Sequence, residues 1–239
     1  MRIAVVSDIH GNLTAFEAVL EDLRQTAPDL VFHGGDLADA GSSPVEIVDR
    51  IRELGWPGVI GNTDEMLAKP ESLKAFAEQS RAIQPLLPVI REMAAHTRDA
   101  LGEERLAWLR SLPLSQVDGS MALVHASPES PWRAPMLEAS DAELAAVYGP
   151  LSRPVAIYAH LHRSFVRKLP GLIVANTGSV SLSYDGDRRA AYLLLDESGP
   201  TIRRVEYDLN RELKAISACG LPHADWVAKI LEHAGPQMP

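Results

Sequence analysis

An α/β fold built around a largely parallel sheet is what this sequence predicts, and three features of its N-terminal part predict it. Apolar runs of strand length alternate with longer stretches whose apolar residues recur every three to four positions. The runs of the first kind lead into polar or glycine-rich turns, and those of the second are stopped by proline or glycine. Strands alternating with helices close through right-handed crossovers onto parallel neighbours.

The elements follow in order. Arg2 to Val6 reads as the first strand. The helix after it has Thr14 and Glu17 in capping-box spacing, with Leu13, Phe16, Leu20 and Leu23 on one face, and Pro28 ends it. Asp29 to Phe32 is a strand running into Gly34, Gly35 and Asp36. Ser43 fits an N-cap, Pro44 the first helical position and Glu46 the rest of a capping box. Ile47, Val48, Ile51 and Leu54 make that helix's apolar stripe, and Gly55 is placed to end it. A short strand at Gly58 to Ile60 leads into Gly61-Asn62.

From about residue 66 to residue 120 the pattern changes. Leu73, Phe76 and Ile83 have helical spacing, Pro85 and Pro88 interrupt any long helix, and Arg105 to Leu109 with Trp108 suggests a short helix before Pro113. This stretch reads as a helical insert. The remainder is strand-rich: Met121 to Val124 and Val155 to Ala159 each lead into histidine. Phe165–Leu169 and Leu172–Ala175 flank a Pro170-Gly171 turn, and Ala190–Leu195 pairs with Thr201–Tyr207 as a second hairpin. The tail, 211–239, carries Leu221, Trp226, Val227, Ile230 and Leu231 and reads as helix, with core packing expected rather than a partner contact. With no repeat and no linker, one domain over 1–239 is expected.

Bulk properties narrow the function. A chain of 239 residues that is 46% hydrophobic and 23% charged has the make-up of a globular domain, not a disordered one. Its net charge of −9 disfavours general nucleic-acid binding. A small anionic substrate is still compatible where bound cations supply local positive charge. Cys219 is the only cysteine, so no internal disulfide forms. The apolar run Ile3 to Val6 is too short for a signal peptide, and no stretch reaches membrane-spanning length, so a cytoplasmic protein with no membrane partner is the expectation.

The chemistry lies at strand ends. Asp8 and His10, two apart, point to one side of the chain, and His160 and His162 repeat the spacing. Asp36 and Asn62 each follow a strand and a glycine, and His125 ends Met121–Val124. Singly these are weak signals, since an Asp-x-His triplet is usually a surface pair and Gly-Asp usually a turn. Together they put seven ligand-type side chains at the carboxyl ends of strands, the edge where α/β sheets form sites. A nitrogen–oxygen set without thiolate suits manganese, iron, cobalt, nickel or zinc.

Asp8-Ile9-His10, Gly35-Asp36, Gly61-Asn62, His125 and Ala159-His160-Leu161-His162, in that order, resemble the signature of calcineurin-like metallophosphoesterases. Val124-His125-Ala126-Ser127-Pro128 and Asn176-Thr177-Gly178-Ser179-Val180 are similar to the bacterial and archaeal predicted-phosphodiesterase branch. The resemblance implies a four-layer sandwich, two mixed β-sheets with helices outside. It implies two divalent transition metals, manganese favoured: Asp8, His10 and His162 on one, Asn62, His125 and His160 on the other, Asp36 bridging. Catalysis would rest on Asp36, Asn62, His125 and His160, with a metal-bridging hydroxide cleaving a small phosphoester or nucleotide-type substrate, a diester before a monoester. Thr63 stands where many relatives have a histidine that helps the leaving group, which favours substrates with good leaving groups. Thr63, Arg98 and Arg133 are the candidate substrate contacts, while Asp39 and Asp64 are expected to orient ligands. The alternatives are a nucleotide-binding regulatory module and a non-catalytic protein-binding scaffold.

Overall fold

In a computed structural model describing residues 1–239, two mixed sheets lie face to face with helices against both outer sides. The first sheet contains β1 (Ile3–Val6), β2 (Leu30–His33), β8 (Ala190–Asp196) and β9 (Gly199–Val205), in the order β2-β1-β8-β9. The second contains β3 (Ser115–Asp118), β4 (Met121–Val124), β5 (Val155–Tyr158), β6 (Phe165–Leu169) and β7 (Leu172–Asn176), in the order β3-β4-β5-β7-β6. The β1–β2, β4–β5 and β5–β7 pairs are parallel and the other four antiparallel, so the sheets are mixed where strand–helix alternation alone predicted mostly parallel pairing. The difference comes from three hairpins, β3–β4, β6–β7 and β8–β9, which put antiparallel strands at the sheet margins, and from the antiparallel seating of β8 on β1.

Strand periodicity distributes the core. Ile3 and Val5 face the second sheet, where they meet Leu123, Ile157 and Ala175, while Ala4 and Val6 face the helices. Because both faces are covered, β1 is apolar at every position and fully buried.

Several local readings change. The helix α1 (Leu13–Thr26) is capped by Asn12, whose Oδ1 accepts from Ala15 N at 2.8 Å, rather than by Thr14 with Glu17. Ser43 occupies the N-cap of α2 (Pro44–Leu54) without a side-chain cap bond, and Gly55 ends that helix in the left-handed region at φ 63°. Gly58–Ile60 shrinks to a single bridge between His33 and Gly58. The 66–120 stretch holds α4 (Glu71–Gln79), the end of α3 (Asn62–Ala68), α5 (Leu87–Ser111) and β3. Pro88 does not break α5 but opens it, in the first turn where no N–H is needed, and the sharp kink falls instead at Gly102 (φ 68°, ψ 167°). The helix α6 (Asp141–Tyr148) escaped the sequence reading because its apolar residues run right round it rather than along one stripe.

The tail forms α7 (Leu209–Ala218) and α8 (Ala224–His233). Ile216, Leu221, Val227, Ile230 and Leu231 pack with Met93 of α5 and Leu182 of the loop after β7. The tail thus packs on the insert, as its apolar pattern predicts.

Candidate metal centre

Asp8, His10, Asp36, His160 and His162 all have φ between 48° and 68°. A non-glycine residue rarely adopts this left-handed conformation, and each instance costs about 1 kcal/mol or more. Each lies just past β1, β2 or β5, where the turn redirects the chain from strand to loop and swings the side chain over the sheet edge. Gly35 and Gly61 explain why Asp36 and Asn62 each follow glycine. A Cβ on Gly35 would come within 2.5 Å of Gly61 N, and one on Gly61 within 2.1 Å of Asp36 Oδ1. The two turns touch backbone to backbone, which holds Asp36 beside Asn62.

The seven predicted side chains converge in two groups that meet at Asp36. In the first, His162 Nε2 lies 3.2 Å from His10 Nε2 and 3.3 Å from Asp8 Oδ1, and His10 Nε2 is 3.6 Å from Asp36 Oδ2. One ligand atom each from Asp8, His10, Asp36 and His162 falls within 4.8 Å of the others. In the second, Asn62 Oδ1 lies 3.0 Å from His125 Nε2 and 2.8 Å from His160 Nδ1, and His125 Nε2 is 3.6 Å from Asp36 Oδ1. Asp36 turns one oxygen to each group.

Backbone carbonyls fix three imidazole tautomers. His10 Nδ1–H donates to Asp39 O at 2.9 Å, His125 Nδ1–H to Gly34 O at 2.8 Å and His162 Nδ1–H to Leu182 O at 2.7 Å. A carbonyl only accepts, so the proton sits on Nδ1, and each neutral ring aims a bare Nε2 lone pair inward. Two such lone pairs 3.2 Å apart, beside a fully buried Asp8, repel unless a cation lies between them or His162, whose pKa Asp8 raises against burial, carries a proton there. The donor set therefore fits a divalent cation on its own geometry. Turned over, the Asn62 amide donates to both rings and to Asp36 Oδ2, so the nitrogen faces the group without an ion and a cation bound there would select the oxygen.

Electrostatics keeps these donors ready. Burial pushes the Asp8 carboxyl up, but protonation of the facing His162, with His125 and His10, outweighs it and holds Asp8 at about 2, positive charge that a bound cation would replace. Burial, helped by His125, drops His160 to about 4, leaving it neutral. Around them, Asp64 accepts from Asp36 N at 2.8 Å, Gly61 N at 3.0 Å and Leu37 N at 3.0 Å, tying the two glycine turns together. Burial, with the Asp36 charge, raises that carboxyl to about 6. Burial raises Asp39 to about 7, and the backbone oxygen of Asp39 holds His10. Asn176 Nδ2 donates to Ala159 O at 2.6 Å, steadying the turn that carries His160.

The predicted substrate contacts separate. Thr63 lines the cavity over the site, its backbone N–H donating to Asp36 Oδ1 at 2.9 Å and its hydroxyl buried without a partner. Arg98 and Arg133 lie outside that cavity. Arg98 is drawn to a backbone carbonyl in the last turn of α3, on Leu67, and Arg133 bonds Gln79 Oε1 at 2.6 Å. His33 is buried under Gly58 with both ring nitrogens unpartnered and faces no ligand. Tyr184, whose ring stacks on His162 at 5.0 Å, is a site residue that no sequence pattern announced, and the orienting carbonyls of Asp39 and Leu182 are invisible in side-chain patterns altogether.

These geometries agree with the comparisons. The calcineurin-like phosphoesterase superfamily domain matches residues 1–199, and the chain belongs to that superfamily. An uncharacterized protein of Methanocaldococcus jannaschii is 31% identical over 250 residues, covering 96% of each chain. The symmetrical bis(5'-nucleosyl)-tetraphosphatase of Cronobacter sakazakii is 30% identical over 185 residues, 72% of this chain but only 60% of that enzyme. Among solved structures, a metallophosphoesterase from Sphaerobacter thermophilus matches with a TM-score of 0.79 at 27% identity, covering 98% of this chain and 99% of that one. A hypothetical protein from Pyrococcus horikoshii shares the fold, with a TM-score of 0.82 at 22% identity over 99% of both chains.

Proposed function

We propose that this protein is a dinuclear metal-dependent hydrolase that cleaves small phosphodiesters in the cytoplasm. The observation that carries the proposal is the pair of donor groups meeting at Asp36, each with histidine lone pairs turned onto a carboxylate. Asp8, His10 and His162 would hold one ion, Asn62, His125 and His160 the other, and Asp36 both. When bound, the ions supply a solvent nucleophile of lowered pKa and positive charge against the phosphoryl oxygens. Manganese is the favoured occupant of this nitrogen–oxygen set.

The chain's own residues do the rest. The carbonyls of Asp39, Gly34 and Leu182 hold three imidazoles in the ligating tautomer, so no reorganisation precedes binding. The Asp64 carboxylate locks the Asp36 and Asn62 turns at fixed separation. Thr63 offers a hydroxyl that can bond a phosphoryl oxygen but cannot act as an acid near neutral pH, so this position requires a leaving group that departs without its help. That requirement supports diesters with good leaving groups. The tetraphosphatase relatives support a nucleotide-type ester among the substrates, and the intact donor set speaks against a metal-free scaffold.

The test is hydrolysis of bis-para-nitrophenyl phosphate and the matching monoester by metal-stripped protein. Manganese, nickel, cobalt, iron(II), zinc or magnesium is added back in turn, with Asp36→Asn as control. Metal-dependent diester cleavage that the substitution abolishes supports the reading. Two bound ions per chain with no cleavage by any metal would sink it and favour a nucleotide-sensing module.

A further inference from the structure

The cavity over the metal centre has an unusual wall for a phosphoesterase site. No lysine or arginine is among the residues lining it, and its floor carries the carboxylates of Asp36 and Asp39. The nearby cations are engaged elsewhere: Arg98 on Leu67 O, Arg133 on Gln79, and Arg163 Nε on Tyr184 O at 2.9 Å. Sites that grip several phosphates use arginine and lysine forks, because each buried anionic group needs its own counter-charge. Apart from the imidazoles of the centre, any bound ions would be the only positive charge lining this cavity.

Where cations would be expected, the wall is apolar and aromatic. The helix α8, which lies beyond the residues matched by the superfamily domain, contributes Trp226, Val227 and Ile230. Opposite them stand Trp132 and Tyr184. These rings are held in place beforehand. Trp226 Nε1–H donates to Gln237 O at 2.8 Å, Trp132 stacks on Phe76 at 4.9 Å and donates to Glu65 Oε2 at 2.6 Å, and Tyr184 lies on His162. Held aromatic faces bind a flat apolar group at little entropic cost. The cavity volume of about 210 Å³ is below the roughly 300–1,000 Å³ of common small-molecule sites, so its apolar wall seats one small group.

We propose that the substrate carries a single phosphoryl group esterified to a small uncharged apolar or aromatic group that seats against α8, with Trp226 setting the preference and polyphosphate chains excluded. The inference rests on the phosphodiesterase reading above and narrows its substrate class.

Two diesters with one leaving group test it: para-nitrophenyl phenyl phosphate and para-nitrophenyl methyl phosphate, beside diadenosine tetraphosphate, on metal-loaded protein. The phenyl diester is expected to exceed the methyl one in kcat/KM by about tenfold or more, mainly through KM, with the tetraphosphate poorest. Trp226→Ala collapses the phenyl-to-methyl ratio and Trp226→Phe restores most of it. A readout independent of turnover is quenching of tryptophan fluorescence by phenylphosphonate, which has no ester bond to cleave, expected to bind well ahead of tripolyphosphate. Cleavage of the tetraphosphate at or above the phenyl diester's kcat/KM overturns the proposal while leaving the phosphodiesterase reading intact. So does a phenyl-to-methyl ratio near one in the wild-type protein, which needs no variant to fold. If no diester is cleaved at all, the activity reading falls, and the order of phenylphosphonate and tripolyphosphate binding still decides the question of the wall.

Discussion

Gly61→Ala isolates how tightly the site is built. Gly61 has φ −88° and ψ 170°, a conformation alanine adopts freely, so the substitution introduces no backbone strain. Its effect is purely steric. The new Cβ would stand 2.1 Å from Asp36 Oδ1 and 2.3 Å from Asp36 N, each about 1 Å inside ordinary contact. Relief requires the Asp36 turn or the start of α3 to move by about that much, and a 1 Å misplacement of a reacting group costs roughly 100-fold in rate. Overpacking of this kind destabilises by about 1–3 kcal/mol, which lowers Tm by roughly 3–10 °C in a chain of this size. The assay is kcat/KM for a metal-supported diester, with bound metal per chain and a calorimetric melt on the same sample. Gly55→Ala is the contrast, since nothing lies within 4 Å of that Cβ and only its left-handed φ of 63° is strained. It should cost about 1 kcal/mol of stability and no activity. If Gly61→Ala keeps wild-type turnover and metal content, the backbone contact between the two glycine turns is not what positions Asp36, and the reasoning fails.

Two further expectations follow from buried groups. Asp64→Asn puts an amide N–H against backbone N–H groups that the carboxylate now satisfies, and should cost about 3 kcal/mol together with weaker metal retention, read by urea melts and metal analysis; an unchanged melt would remove Asp64 as the clamp between the turns. His33 has its pKa lowered by burial to about 3, against 6.5 for an exposed histidine. The unfolded chain therefore takes up the proton first as pH falls below 6.5, and stability drops by roughly 1.4 kcal/mol per pH unit from there toward 3. His33→Leu should flatten that slope, and at neutral pH it should be neutral or stabilising, because neither ring nitrogen has a partner to lose. Denaturant midpoints at pH 7, 6, 5 and 4 give both quantities.

How much of this was legible in the sequence depends on what each feature rests on. The seven converging side chains were readable because donor residues recur in a fixed order, four of them in pairs spaced two apart, two after glycine and His125 directly after a strand. The elements around them followed from apolar patterning, periodic in the helices and continuous in β1, where both faces are covered. What failed were features set by long-range contact. Thr14 and Glu17 have the spacing of a capping box, but Asn12 wins the cap because the turn that carries His10 runs directly into it. Pro85 and Pro88 read as breaks, yet a proline in a first turn starts a helix as readily as it ends one. Arg98 and Arg133 carry charge suited to phosphate, but a partner distant in sequence took each, and no pattern in sequence reports which carbonyl or amide a guanidinium meets first. The apolar residues of α8 were visible as a packing face. That the same face also walls the site emerges only when the tail folds back across the insert.

The strain in the ligand turns points to a trade between stability and metal binding that can be measured. Five of the proposed ligands lie in the left-handed region, and together they cost about 5 kcal/mol or more if each costs about 1 kcal/mol, a large fraction of the stability of an ordinary domain. Such strain persists only where something else holds it, and the carbonyl bonds to His10 and His162, with the Asp64 clamp, are the visible holders. His160 lacks one: its only recorded hydrogen bond is to Asn62, and its φ is the largest of the five at 68°. Asparagine tolerates that conformation better than histidine and does not add the unfolded-state freedom of glycine. His160→Asn should therefore leave the metal-stripped protein as stable as wild type or more so, by up to about 1 kcal/mol. With metal present the same variant should be the less stable, because it loses a ligand and with it part of the binding free energy linked to folding. Urea midpoints of both proteins, stripped and loaded, give the sign directly. If His160→Asn destabilises the stripped protein as much as the loaded one, the turn is held by packing of the ring rather than by the metal, and the strain at this position carries no functional meaning.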